Sequence, residues 1–145
     1  VKKALALALL ACTVVVPAHA RDTELKLPFE EVLQMPEAKE KLDGSVKFFL
    51  AGQKTPKVLE KKGGDKTSKK TNGFGKEDDV ACRWAALSAL IALQDRAKAQ
   101  GANAVIDIVS YHKHEVFSSP TEYECHAGNI VVGVTLKGTY AKIAN

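Results

Sequence analysis

The sequence predicts an α+β domain, with one long helix packed on a mostly antiparallel sheet of about four strands. Three observations carry that prediction. From Asp78 or Asp79 to about Gln100, apolar residues recur at helical spacing. Downstream, residues 103–113, 122–127 and 128–137 are rich in β-branched residues or alternate with period two. These strand-like segments gather after the long helix instead of alternating with helices one by one, which argues for an antiparallel sheet over a βαβ array.

The elements follow in chain order. Residues 23–27 (Thr-Glu-Leu-Lys-Leu) alternate and predict a first strand, and Pro28 opens a short helix that carries Phe29, Val32 and Leu33 on one face. A second helical turn spans Glu37–Leu42 and closes at Asp43-Gly44; Ser45–Leu50 is strand-like, with Val46, Phe48 and Leu50 on one side. Ala51–Asp79 differs in character. Its only apolar residues are Ala51, Val58, Leu59 and Phe74, and up to Lys76 only Glu60 and Asp65 oppose its eight lysines. A segment so poor in apolar residues predicts a long basic loop.

Asp78 or Asp79 is the expected cap of the long helix, and Gly101 is its C′ stop. Val80, Trp84, Leu87 and Ile91 form one stripe; Ala86, Leu90, Leu93 and Ala97 form another. Together they cover about half the circumference, so the helix needs a sheet beneath it and a cover on its flank, either the N-terminal segment or another subunit. Arg83 and Gln94 fall inside this apolar half, and Asp107, mid-strand beside Val105 and Val109, is the expected structural partner of Arg83. Ser118–Thr121 predicts a turn between two strands, and Ile130, Val132, Val134 and Leu136 share one face of the last strand.

The start of the chain bears on compartment. Lys2-Lys3 precedes an apolar run over Ala4–Val16 and the small-x-small triplet Ala18-His19-Ala20, the grammar of a signal peptide on residues 1–20. Thirteen helical residues reach about 20 Å, short of the roughly 30 Å of a bilayer core. Leu9-Leu10-Ala11-Cys12 offers the alternative of a lipoprotein acylated at Cys12. Removal of residues 1–20 leaves a single domain over 21–145 and takes Lys2 and Lys3 from the formal charge of +4, leaving +2. That balance is too mild for a dedicated nucleic-acid binder. In a periplasmic or secreted protein the two remaining cysteines, Cys82 and Cys125, form an even pair and predict one disulfide.

Candidate chemistry is sparse. Gly73-Phe74-Gly75-Lys76-Glu77 lacks the leading glycine and the Ser/Thr of a phosphate-binding loop, and no Gly-x-Ser-x-Gly elbow exists. No catalytic residues emerge, so the reading is non-enzymatic. His112 and His114, two apart, project from one face of a strand, and a turn at Ser119-Pro120 would bring His126 beside them. Imidazoles in that arrangement suit Zn²⁺ or Cu²⁺. Lys61, Lys62, Lys66, Lys69 and Lys70 form the candidate anion-binding set, for envelope proteins or anionic envelope polymers.

Three blocks carry a family resemblance: Asp79-Val80-Ala81-Cys82-Arg83-Trp84-Ala85, Gly101-Ala102-Asn103-Ala104-Val105 and Glu122-Tyr123-Glu124-Cys125-His126-Ala127-Gly128. From about Thr23 to Lys142 the chain resembles small exported bacterial proteins of unknown role that often carry the name "excinuclease ATPase subunit". The residues do not support that name: there is no nucleotide loop and no Cys-x-x-Cys. More distantly, Cys82–Leu136 is similar to the Rcs-pathway envelope-stress sensor lipoprotein and to YbjQ-type heavy-metal-binding proteins. Those resemblances imply a compact α+β domain with a helix on a sheet. The expectation is an exported, non-enzymatic binding or envelope-sensing module, the alternative a periplasmic metal-binding protein using His112, His114 and His126.

Overall fold

The structure is a computed structural model that describes residues 12–16 and 20–145. The expected leader lies largely outside those residues; Cys12, within them, is exposed and carries no disulfide. The architecture is α+β. In order it comprises β1 (Thr23–Pro28), α1 (Phe29–Leu33), α2 (Pro36–Lys41), β2 (Lys47–Leu50), β3 (Val58–Asn72), α3 (Asp78–Ala99), β4 (Ala104–Ser110), a short 3-10 turn (His112–His114), β5 (Glu122–Ala127) and β6 (Val131–Ile143).

The sheet has six strands rather than about four, and it is mixed, since β2 pairs parallel to β4. β6 organises it. Thr139 has Gly64 of β3 on one side and Ile106 of β4 on the other; Gly133 has Lys70 of β3 and His126 of β5. Hence β3 runs along one edge of β6, while β4 and β5 share the opposite edge end to end. The hairpin expected between residues 103–113 and 122–127 is therefore not a paired ladder. Both strands pair with β6, and β1 flanks β5 as β2 flanks β4.

The expected basic loop over 51–79 is corrected by the same pairing. Most of it is β3, fifteen residues long. The main-chain groups along one of its edges are satisfied by β6, so pairing rather than an apolar stripe holds it in the sheet. Its other edge, which has no strand partner among the described residues, is defended by lysines, which discourage a further strand from adding.

The long helix matches its expected span, with Gly101 in the left-handed region at φ 69° after its end. Neither Asp78 nor Asp79 caps it. Glu77 occupies that position, and the two aspartates bind arginines instead. Ala81, Cys82, Ala85, Ala86, Leu90 and Leu93 are fully buried against the sheet. Its flank is covered by the N-terminal segment, where Phe29 meets the Tyr123 ring edge-on at 6.5 Å. Buried Gln94 is satisfied: its Oε1 accepts the Asp43 N–H at 3.2 Å and its Nε2 donates to the Lys41 carbonyl at 3.2 Å. On the last strand Val132, Val134 and Leu136 are buried as expected, but Ile130 precedes β6 and is exposed.

The expected Arg83–Asp107 pair does not form. Arg83 bonds Asp79 at 3.0 Å and lies 3.5 Å from Glu31. Asp107 is exposed at φ 54°, inside an irregularity between Ile106 and Val109. That bulge breaks the period-two alternation, so Val105 and Ile108 both enter the main core while Asp107 turns outward. The doubled side chains press on Gly138 of β6, where a Cβ would sit 2.7 Å from Val105 Cγ1 and 3.2 Å from Ile108 Cγ1. Gly138→Ala is expected to destabilise the domain by about 1–3 kcal/mol through overpacking. A lowered urea midpoint at unchanged slope would show it; an unchanged midpoint would mean the bulge yields freely.

Candidate metal centre

The face of the sheet away from α3 carries the site. In β5, Tyr123, Cys125 and Ala127 are buried in the core, so the alternate residues Glu122, Glu124 and His126 face the other way. Register places Glu24 of β1 opposite His126 and Lys26 opposite Glu124. Cys125, between the two outward residues, is joined to Cys82 of α3, with 5.9 Å between the Cα atoms. The expected disulfide thus ties the long helix to the strand that presents the site.

His112 arrives from β4. Ser110 ends that strand, exchanges main-chain hydrogen bonds with Phe117 and accepts the Glu124 N–H on its Oγ at 2.8 Å. The chain then turns through His112–His114, with Lys113 and His114 left-handed at φ 49° and 65°. Two consecutive non-glycine residues in that region cost about 1–3 kcal/mol each, so the surrounding contacts must hold the turn. It lays the His112 ring flat on His126, with centroids 3.5 Å apart and 14° between planes.

His126 is gripped from both ends. Its Nδ1 lies 2.9 Å from Asp22 Oδ1 and its Nε2 2.7 Å from Glu124 Oε1. Two ionised carboxylates can only accept, so this arrangement favours the doubly protonated ring. Burial works against that charge, but the hydrogen bonds to Glu124 and Asp22 outweigh it, and the His126 pKa rises above the ordinary histidine value. The Asp22 carboxyl is held below its usual range, chiefly by its hydrogen bond to His126. His112 shifts the other way, because burial and the neighbouring His126 disfavour its charged form. Its Nε2 is buried with no hydrogen-bond partner among the described residues.

One ligand atom each from Asp22, His112 and His126 lies within 4.8 Å of the others, and the same holds for Glu24, Glu124 and His126. Two imidazoles and a carboxylate are a donor set suited to Zn²⁺ or Cu²⁺. The neutral ring and unpartnered nitrogen of His112 fit a ligand role.

Of the three histidines expected together, the structure unites His112 and His126 and separates His114. The reason is the 3-10 turn: it replaces the strand whose pleat would have put residues 112 and 114 on one face. His114 instead sits 3.2 Å from Lys66 Nζ, its ring edge-on to Tyr111 at 5.6 Å. Asp22 and Glu24 were missed. Only the pairing of β1 with β5 reveals them, and no local pattern encodes that pairing.

The five candidate anion-binding lysines do not converge. Thr67 and its partner Leu136 are buried beneath α3, so Lys66 and Lys70 take the outer face of β3. Lys69 lies beside Ser88, Ile91 and Asp95 on the helix side. Lys62 pairs with Glu60 at 3.2 Å, and Lys61 stands opposite Ala141.

Comparison with protein-family models found no match, and comparison with curated proteins found none either. Among the described residues no helix is long and apolar enough to cross a membrane.

Proposed function

We propose that the protein is an exported, non-enzymatic binding module whose ligand is a divalent transition metal, Zn²⁺ or Cu²⁺, held by His112, His126 and Asp22. The single observation carrying this reading is that one ligand atom each from Asp22, His112 and His126 lies within 4.8 Å of the others. Glu124 acts as a positioning residue: it keeps hold of the His126 Nε2 proton and so directs Nδ1 to the metal, as carboxylates do behind ligating imidazoles. The metal replaces the Nδ1 proton that Asp22 now accepts. Three protein ligands leave room for a further group, which suits a module that exchanges or senses metal. The expected export leader, the disulfide and the resemblance to envelope proteins support an extracytoplasmic setting, where such a pool is encountered.

Calorimetric titration of chelator-stripped protein with zinc and with copper tests the reading. Saturation at one ion per chain is expected, with a heat that changes between buffers of different ionisation enthalpy because a proton is displaced. Heat no greater than buffer alone for both ions would mean that the His126 imidazolium between two carboxylates is only a structural ion pair.

A further inference from the structure

We propose a second site on the same outer sheet face, for a phosphate-class oxyanion of a small soluble ester, formed by Lys66, Lys137 and Tyr111. Lys66 of β3 stands directly opposite Lys137 of β6 in the antiparallel register. Like charges so placed repel across the ladder, and a carboxylate at either position would relieve them. Among the described residues none is supplied: the ion pairs of β3 are Lys62 with Glu60 and Asp65 with Arg96, on other parts of the strand. Both ammonium groups instead lie over one aromatic ring, Lys137 at 4.7 Å and Lys66 at 6.0 Å from the Tyr111 centroid. The remaining side-chain partner of the Lys66 ammonium is His114 Nε2 at 3.2 Å.

The surroundings fit a tetrahedral anion. In the next row of the same face Ser68 opposes Thr135, their hydroxyls bonded to each other, and Tyr111 is fixed by its N–H donating to the Thr135 carbonyl. One row further, Lys70 stands opposite Gly133, which puts no side chain in its way. Lysine ammoniums act as point charges toward phosphate, and the hydroxyls supply further donors to its oxygens. A long polyanion is disfavoured as occupant, because Lys62 is paired with Glu60 and Lys69 lies on the helix side, which interrupts the basic stripe. The site shares no residue with the proposed metal ligands, so each can fail without the other.

The test is a titration of the full domain with inorganic phosphate at fixed ionic strength, followed by amide chemical shifts. Saturable shifts centred on Tyr111, Thr135 and Lys137 are expected. Lys137→Gln and Lys66→Gln should each weaken binding about tenfold, with native shifts elsewhere showing an intact fold. Linear, non-saturating shifts matching those caused by chloride would overturn the proposal. Vesicles rich in anionic phospholipid form the second arm: retention that phosphate fails to displace would assign the face to a membrane and overturn the small-ester reading.

Discussion

Replacing Cys82 and Cys125 together by alanine is expected to lower the unfolding free energy by roughly 4 kcal/mol. The bridge spans a sequence separation of 43 residues, so it removes a large loop from the unfolded ensemble, and both cysteines are fully buried. Domains of this size have about 5–15 kcal/mol in total, so the loss takes a substantial share. Urea unfolding of the oxidised protein, the reduced protein and the double variant should show the latter two falling together, well below the first. Coincident curves for all three would show that α3 and β5 are held by packing alone. The site should feel this too, because Cys125 sits between Glu124 and His126 on β5.

The second large effect concerns His126. His126→Ala should abolish measurable zinc or copper binding, since it removes the ligand that Asp22, Glu124 and His112 all contact. Glu124→Gln should weaken binding by about 10–100-fold, the usual cost of losing a carboxylate that orients a ligating imidazole. His114→Ala should leave affinity unchanged, because that ring faces Lys66 and Tyr111. The pH dependence has a definite sign. The metal needs the His126 nitrogen that the raised pKa keeps protonated, so affinity should rise with pH and fall on acidification. Calorimetry of the three variants at two pH values checks the whole pattern. Undiminished binding in His126→Ala, or loss in His114→Ala, would place the metal elsewhere.

What was legible in the sequence was local. Periodicity from Val80 to Ala97 specified a helix with a wide apolar face, Gly101 marked its end, and two cysteines sufficed to indicate one bridge. The first strand, the Pro28 helix and residues 122–127 were likewise readable, because a pleat or a helical turn imposes its own spacing. β3 was not, because it is held along one edge by pairing with β6 and shows little apolar patterning of its own. The bulge at Asp107 was hidden for a related reason: one inserted residue inverts an alternation without altering composition.

The site shows the division most clearly. The sequence by itself put His126 on a strand over residues 122–127 and within reach of His112. Only the tertiary structure decided what it meets. β1 brings Asp22 and Glu24 from a hundred residues away, and a left-handed turn at Lys113 and His114 sets His112 on its ring while sending His114 to the lysines. Spacing along a chain fixes which face a side chain takes; which strands adjoin is a property of the whole sheet.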